Sequence, residues 1–419
     1  MIHQSPELIA AIRDRFAHVD TCPFQGERIF FENAGGALTL KKVVETSGFY
    51  AAIPDNPGRA NPAGQGIQDV IDRAKADLAV FMNASTGQFL AGESGTELLF
   101  RMIRTACVNA PEGGKVIGSS IEHPASRSAA RRWAEVAGLE YVEVPHDDAR
   151  GVVTAEAYAA QMTPDVAVAT IVHASPVTGM GMDVAAISAA IRAVAPEAVI
   201  IVDGIQHAAH GQLDIDSYRA DGYAISPYKV FSRHGFGIGW ISDRLAVMPH
   251  ERLIGSPEDA WELGTRDAGC YATVSDVVAY FDWLGGEVSG ETDRRRRIEA
   301  AGRAIHAYET HLTDAMIKGT GNLPGLRDMD HVGILGGADN PAREGLVSVV
   351  VAGVPSAEVV ERLNAQGIRT HIRKDDHYSG NVLKPLGLSD CIRISMCHYN
   401  TEAEVARLLT ALREMGASG

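Results

Sequence analysis

Val199-Ile-Ile-Val-Asp-Gly-Ile-Gln206 reads as a short strand that ends on a carboxylate. Its apolar run leaves no polar face, which suits a strand covered on both sides. Asp203 then stands at the C-terminal end of that strand, where open α/β sheets gather their ligand-binding groups. A second element repeats the plan: Gly222-Tyr-Ala-Ile-Ser226 is another short apolar run, and Pro227-Tyr-Lys229 puts an amine just past its end.

Outward from this pair, short apolar runs alternate with amphipathic stretches between about residues 85 and 245. Strands are expected at Phe89–Ala91, Lys115–Gly118, Leu139–Val144, Val166–Val172, Val199–Val202, Tyr223–Ile225 and Ile238–Ile241. Helices are expected at Thr96–Val108, Ala125–Ala137, Ala155–Met162 and Val184–Ala195. This alternation predicts an α/β fold whose mainly parallel, seven-stranded sheet is covered by helices. After Leu284-Gly-Gly286 the character changes. A polar helix over Glu291–Thr313 precedes strands at Leu346–Val351, Ile368–Ile372 and Cys391–Met396. Helices over Ser356–Gln366 and Thr401–Met415 complete a smaller C-terminal α/β domain. The expected division is residues 1–286, an N-terminal segment with the large domain, and 287–419, the small domain.

Composition narrows the function. The 419 residues suit two unequal domains, and 46% hydrophobic with 22% charged residues is ordinary for a globular enzyme. The formal charge, 38 − 53 = −15, argues against nucleic-acid binding. Arg294-Arg-Arg-Arg297 reads as a solvated helix turn beside acidic neighbours. No apolar run reaches the roughly 20 residues a membrane span needs. The first residues lack a basic-then-apolar leader pattern. Five cysteines, an odd count without metal-site spacing, fit reduced thiols in a cytoplasmic protein.

The acid and the amine together suggest a pyridoxal 5′-phosphate (PLP) site. Lys229 would hold the aldehyde as a Schiff base, and Asp203 would pair with the protonated pyridine nitrogen. Gly92-Glu-Ser-Gly-Thr96 between strand and helix suits a phosphate cradle, or simply a capped turn. His123 could lie on the cofactor ring or be structural, and Ser226 could add a hydroxyl to the phosphate. Gly235, Gly237 and Gly239 precede a strand rather than a helix, which rejects a dinucleotide fingerprint. Arg393, inside the apolar strand Cys391–Met396, wants a carboxylate from a substrate or from an internal salt bridge.

From about Ile29 to the last helix, the chain resembles the class V aminotransferase family of PLP enzymes, fold type I. The likeness is greatest to its cysteine desulfurase and selenocysteine lyase branch. The matching pieces are Phe31-Glu-Asn-Ala-Gly35, Gly95-Thr-Glu97, Glu122-His123, His173-Ala-Ser-Pro-Val-Thr-Gly179 and Asp203-Gly-Ile-Gln206. Ser226-Pro-Tyr-Lys229, Gly264-Thr265, and Arg393 ahead of His398-Tyr-Asn-Thr401 continue the series. The resemblance implies that Lys229 is the Schiff-base lysine and general base, that Gln206 bonds the ring hydroxyl, and that His123 stacks on the ring. It also implies that Gly95, Thr96 and Ser226 hold the phosphate, while Thr265 reaches the neighbouring subunit's phosphate in a homodimer. Arg393 would bind the substrate carboxylate, with Asn33, Tyr228 and His377 also on the substrate side.

Three departures stand out. The stretch Arg373–Gly380 lacks the mobile-loop cysteine of the desulfurases, leaving Cys391 as the nearest thiol. Pro176 replaces an asparagine usual beside the ring hydroxyl, and Tyr228 replaces a histidine before the lysine. Tyr228, His377 and Tyr378 are the remaining candidates for proton delivery. The expected activity is a PLP-dependent lyase on a small amino acid, with carbon–sulfur β-elimination first. A desulfurase with a non-standard cysteine comes second, then aminotransferase or epimerase chemistry. A sulfur-acceptor protein stays open as a partner. A non-enzymatic PLP-binding regulator is disfavoured, because Lys229 and Arg393 are both kept and no DNA-binding segment precedes the fold.

Overall fold

The computed structural model describes residues 2–416. β1 (Ile29–Phe30) is followed by α1 (Pro62–Met82), β2 (Gln88–Gly92), α2 (Gly95–Val108), β3 (Lys115–Ser119) and α3 (Pro124–Ala137). Then come β4 (Glu140–Val144), β5 (Val166–Val172), α4 (Val184–Val194), β6 (Val199–Asp203), β7 (Gly222–Ile225) and β8 (Gly237–Ile241). These form a seven-stranded sheet in the order β2-β8-β7-β6-β5-β3-β4. All neighbouring pairs are parallel except those of β8, which runs antiparallel to β2 and to β7.

The apolar run of β6 is explained by its place in the middle of this sheet. Val199 and Ile201 face the core under α2 and α3, while Ile200 and Val202 face the core under α4. Side chains alternate across a strand, so a strand covered twice must be apolar at every position. The sheet therefore ends its middle strands at a single edge, where Asp203 and the turn before Lys229 emerge.

Helices α5 (Ala268–Val288) and α6 (Arg294–Lys318) lead into β9 (Val332–Ile334), β10 (Leu346–Val351) and α7 (Ser356–Ala365). β11 (Ile368–Arg369), β12 (His371–Lys374), β13 (Asp390–Ser395) and α8 (Glu402–Gly416) complete the chain. β9-β10-β13-β12 form a second, antiparallel sheet. Among the described residues no helix is long and apolar enough to cross a membrane.

One expectation needs correction, and two helices join those read from the sequence. The strand expected over Ile368–Ile372 is broken at Thr370. Its first half pairs in parallel with β1 from the N-terminal segment, and its second half joins β13. Two long helices, α1 and α5, went unread, although both pack into the core. α5 continues through Leu284-Gly-Gly286, because Gly285 serves a close contact instead of a break. A Cβ there would lie 1.9 Å from the Arg297 carbonyl oxygen, so only glycine lets α5 and α6 approach this closely.

Candidate active site

Asp203, the last residue of β6, is buried, with its Oδ1 accepting from the Ile205 N–H at 3.1 Å. The Ser126 hydroxyl reaches its Oδ2 at 3.4 Å. Burial raises the Asp203 carboxyl, while the Ile205 N–H and the Lys229 amine work the other way. Such an acid holds its charge best opposite a cation. Behind it the buried Glu122, pushed up to about 8 by burial and by Asp203, carries a proton at neutral pH.

Lys229 ends a short 3₁₀ turn, Pro227–Lys229, that follows β7. Its Nζ donates to Gln206 Oε1 at 3.1 Å. Burial, helped by the Arg393 guanidinium, lowers its amine to about 7, and Asp203 opposes the shift. A lysine near neutrality can act as a nucleophile and as a proton carrier.

α2 begins beside this pair. Ser94 caps it by accepting from the Glu97 N–H at 3.1 Å. A Cβ on Gly95 would lie 2.6 Å from Ser226 Oγ, so glycine lets the helix end close up on that hydroxyl. The helix N-terminus, Thr96 and Ser226 thus converge as an anion cradle. His123 caps α3, its Nδ1 accepting from the Ala125 N–H at 3.2 Å. Burial, then Lys229 and Arg373, push its imidazole down to about 3, so the ring is neutral.

Between these groups lies a cavity of about 50 Å³. Thr96, His123, Asp203, Gln206, Ser226, Tyr228 and Lys229 line it, with Val172, Ala174, Pro176 and Ile205 as apolar wall. The residues fit PLP. A carboxylate and an amine share one small cavity, the cradle offers donors without a competing carboxylate among the cavity's lining besides Asp203, and a neutral ring stands at the wall. Pro176 stands in this apolar wall, where it has no side-chain hydrogen-bonding group to offer.

Arg393 on β13 is buried and donates from Nη1 to the Pro176 carbonyl at 3.1 Å. Among the described residues it forms no ion pair within 4.0 Å, and burial with Arg373 nearby pushes it down to about 9. Arg373 pairs across the sheet with Cys391, two residues from Arg393, so all three side chains share one sheet face. Sequence reading passed over Arg373, although its spacing in a strand ahead of the loop was the available signal.

Apart from Tyr228, the other expected residues do not line the cavity. Asn33 Nδ2 donates to the Ser395 carbonyl at 2.8 Å and to Asn400 Oδ1 at 3.2 Å, and its Oδ1 accepts from the Tyr399 hydroxyl. Its amide is thereby spent on joining the N-terminal segment to the chain after β13. Thr265 is exposed on a loop whose Arg266 pairs with Glu93. His377 and Tyr378 are also exposed, their rings 4.1 Å apart, with Tyr378 6.3 Å from the His123 ring. Tyr228 stacks at 4.2 Å on His234. Cys391 is buried, and burial raises its thiol to about 11.

A sheet edge carrying a lowered lysine, a buried acid and an anion-ready helix end is the arrangement that an α/β enzyme with a lysine-bound cofactor needs. The chain belongs to the aminotransferase class-V family, whose model matches residues 29–260 and 298–408. This is a family of PLP-dependent enzymes. A probable cysteine desulfurase of Xylella fastidiosa is 26% identical over 403 residues, covering 92% of this chain and 90% of the relative. The aminotransferase-like protein FGM3 of Gibberella zeae is also 26% identical over 403 residues, covering 92% and 94%. In fold, the chain is similar to the apo structure of cysteine desulfurase from Thermococcus onnurineus NA1. That match has a TM-score of 0.79 at 20% identity and covers 94% of this chain and 95% of the other.

Proposed function

We propose that this chain binds PLP at Lys229 and is a carbon–sulfur β-lyase acting on a small amino acid. The observation that carries the reading is the pairing of Lys229 and Asp203 in one cavity, with Arg393 buried nearby and lacking an acid partner. PLP bound there supplies an electron sink for negative charge at the substrate Cα. Asp203 would hold the pyridine nitrogen, Thr96, Gly95 and Ser226 the phosphate, and Gln206 the ring hydroxyl. Arg393 orients the substrate carboxylate through its fork of donors. Lys229, lowered to about 7, takes the Cα proton. The carbon–sulfur bond then breaks with its electron pair leaving on sulfur, and hydrolysis yields pyruvate and ammonia.

β-Elimination is favoured over a persulfide route by the thiol chemistry. A persulfide needs an exposed thiolate, whereas the loop Arg373–Gly380 has no cysteine and Cys391 is buried and protonated. The names of the relatives also support sulfur chemistry, and the aminotransferase-like relative supports transamination as the second reading. Thr265, exposed and absent from the cavity wall, suits a role in the neighbouring site of a homodimer. Product analysis tests the reaction, with L-cysteine, cystine and cysteine sulfinate given to the holoenzyme. Pyruvate with ammonia supports the proposal. Alanine from cysteine would restore the desulfurase route, and neither product would move the search to amino donors.

A further inference from the structure

Gln206 bridges two groups that make opposite demands on its amide. Its Oε1 accepts from Lys229 Nζ at 3.1 Å, and its Nε2 lies 3.3 Å from His210 Nε2. On the far side, His210 Nδ1 lies 2.7 Å from Glu309 Oε2, on α6. Gln206, His210 and Glu309 are all buried, so bulk water does not compete for these bonds. The three residues come from the edge of the large sheet and from a helix 99 positions further on, and they form one continuous relay ending at Lys229.

Each link constrains the next. A Glu309 carboxylate can only accept, so His210 must carry its proton on Nδ1. Neutral His210 then offers a lone pair at Nε2, which takes an N–H from Gln206. That leaves the carbonyl end of the amide for Lys229. A second proton on His210 makes both ring nitrogens donors. Gln206 would then have to turn, giving its oxygen to His210 and its N–H to the cavity, where the Lys229 amine loses its acceptor.

Among the described residues, the His210 ring makes its hydrogen bonds only to Gln206 and Glu309. Glu344 is taken up by His207 at 2.6 Å. The Cys397 thiol, held well up by burial, and the His398 imidazole, held down at about 3 by burial, are both neutral. Burial and Lys229 oppose a second proton on His210, Glu309 and Glu344 favour it, and the balance raises the imidazole above the ordinary histidine value.

We propose that His210 and Glu309 are positioning residues that hold the carbonyl end of the Gln206 amide on Lys229, and that a second proton on His210 turns the amide round. The lysine that the preceding reading gives to the cofactor is thus tuned from behind the sheet edge. The inference rests on that reading only for its catalytic consequence.

The test measures the Lys229 amine in the full chain freed of cofactor, by trace acetylation against pH, with mass spectrometry of the Lys229 peptide. Glu309→Gln lets the side chain donate to His210 Nδ1, which frees the amide to turn. The midpoint is then expected to fall by roughly one pH unit, so labelling well below the midpoint becomes about tenfold faster. Loss of the Glu309 charge alone would act through space and would persist when Gln206 is gone. The deciding measurement is therefore Glu309→Gln in a Gln206→Leu background, where no further shift is expected. His210→Asn gives a second reading of the same effect if Glu309→Gln does not fold. An unchanged midpoint in the single variants, or an equal shift with and without Gln206, overturns the proposal. Adding PLP to the wild-type chain and recording a lysine-linked absorption band reports on the cofactor reading alone.

Discussion

Asp203 and Lys229 stand at the ends of strands buried on both faces, whereas His377 and Tyr378 stand on an exposed loop between β12 and β13. The floor of the cavity is held by short-range geometry: a strand end, a 3₁₀ turn and two helix N-termini, each fixed by a hydrogen bond. The rim is held mainly by contacts among its own side chains, with Arg373 donating to Ser379 and lying over the Tyr378 ring. On the proposed function, floor residues carry chemistry common to many reactions of one cofactor, and the rim is where a particular reaction is selected. Loops on a rigid scaffold are the usual place for such selection.

The sharpest test of this contrast lies in the floor. Lys229→Ala is expected to remove the covalent cofactor bond and to lower turnover by about a thousandfold or more, read by absorbance and steady-state rates. Retained turnover would place the chemistry elsewhere. Arg393→Leu comes next, with kcat/KM falling by about a hundredfold through lost carboxylate binding. A smaller substrate lacking the carboxylate should be indifferent to that change.

Stability should report on the floor as well. The Lys229 amine has its folded pKa depressed from 10.5 to about 7, so between these values the unfolded chain binds the extra proton. Stability of the cofactor-free protein should therefore rise with pH across that window, by a few kcal/mol on the order-of-magnitude scale of linkage. The penalty is fully present below about 7. Chemical denaturation of Lys229→Met beside wild type at several pH values isolates the slope, which the variant should lose.

At the rim the expected effects shrink. Tyr378→Phe should lower kcat by less than about tenfold; a drop of about a hundredfold, the range of a positioned acid or base, would move proton delivery from floor to rim. Smallest is Cys391→Ser, expected to leave turnover within about twofold because a buried, protonated thiol is inert. A larger loss, with a trapped persulfide on the wild-type protein, would reinstate a sulfur-carrying cysteine.

The large sheet was legible because its signals are local. Val199–Val202 and Tyr223–Ile225 could be read as twice-covered strands from their own residues, and the acid and amine at their ends followed from position along the chain. Thr96, Ser226, Gln206 and His123 came together at the cavity for the same reason, since each sits beside an end of an element already visible in the sequence. What the tertiary structure alone decided depends on partners distant in the chain. The break at Thr370 exists because β11 finds β1 from the opposite terminus, and Asn33 is spent on Ser395, Asn400 and Tyr399 for a related reason. The meeting of His210 with Glu309 is likewise unreadable from spacing. Periodicity records which face of an element is buried, and it holds no record of which distant side chain completes a hydrogen bond there.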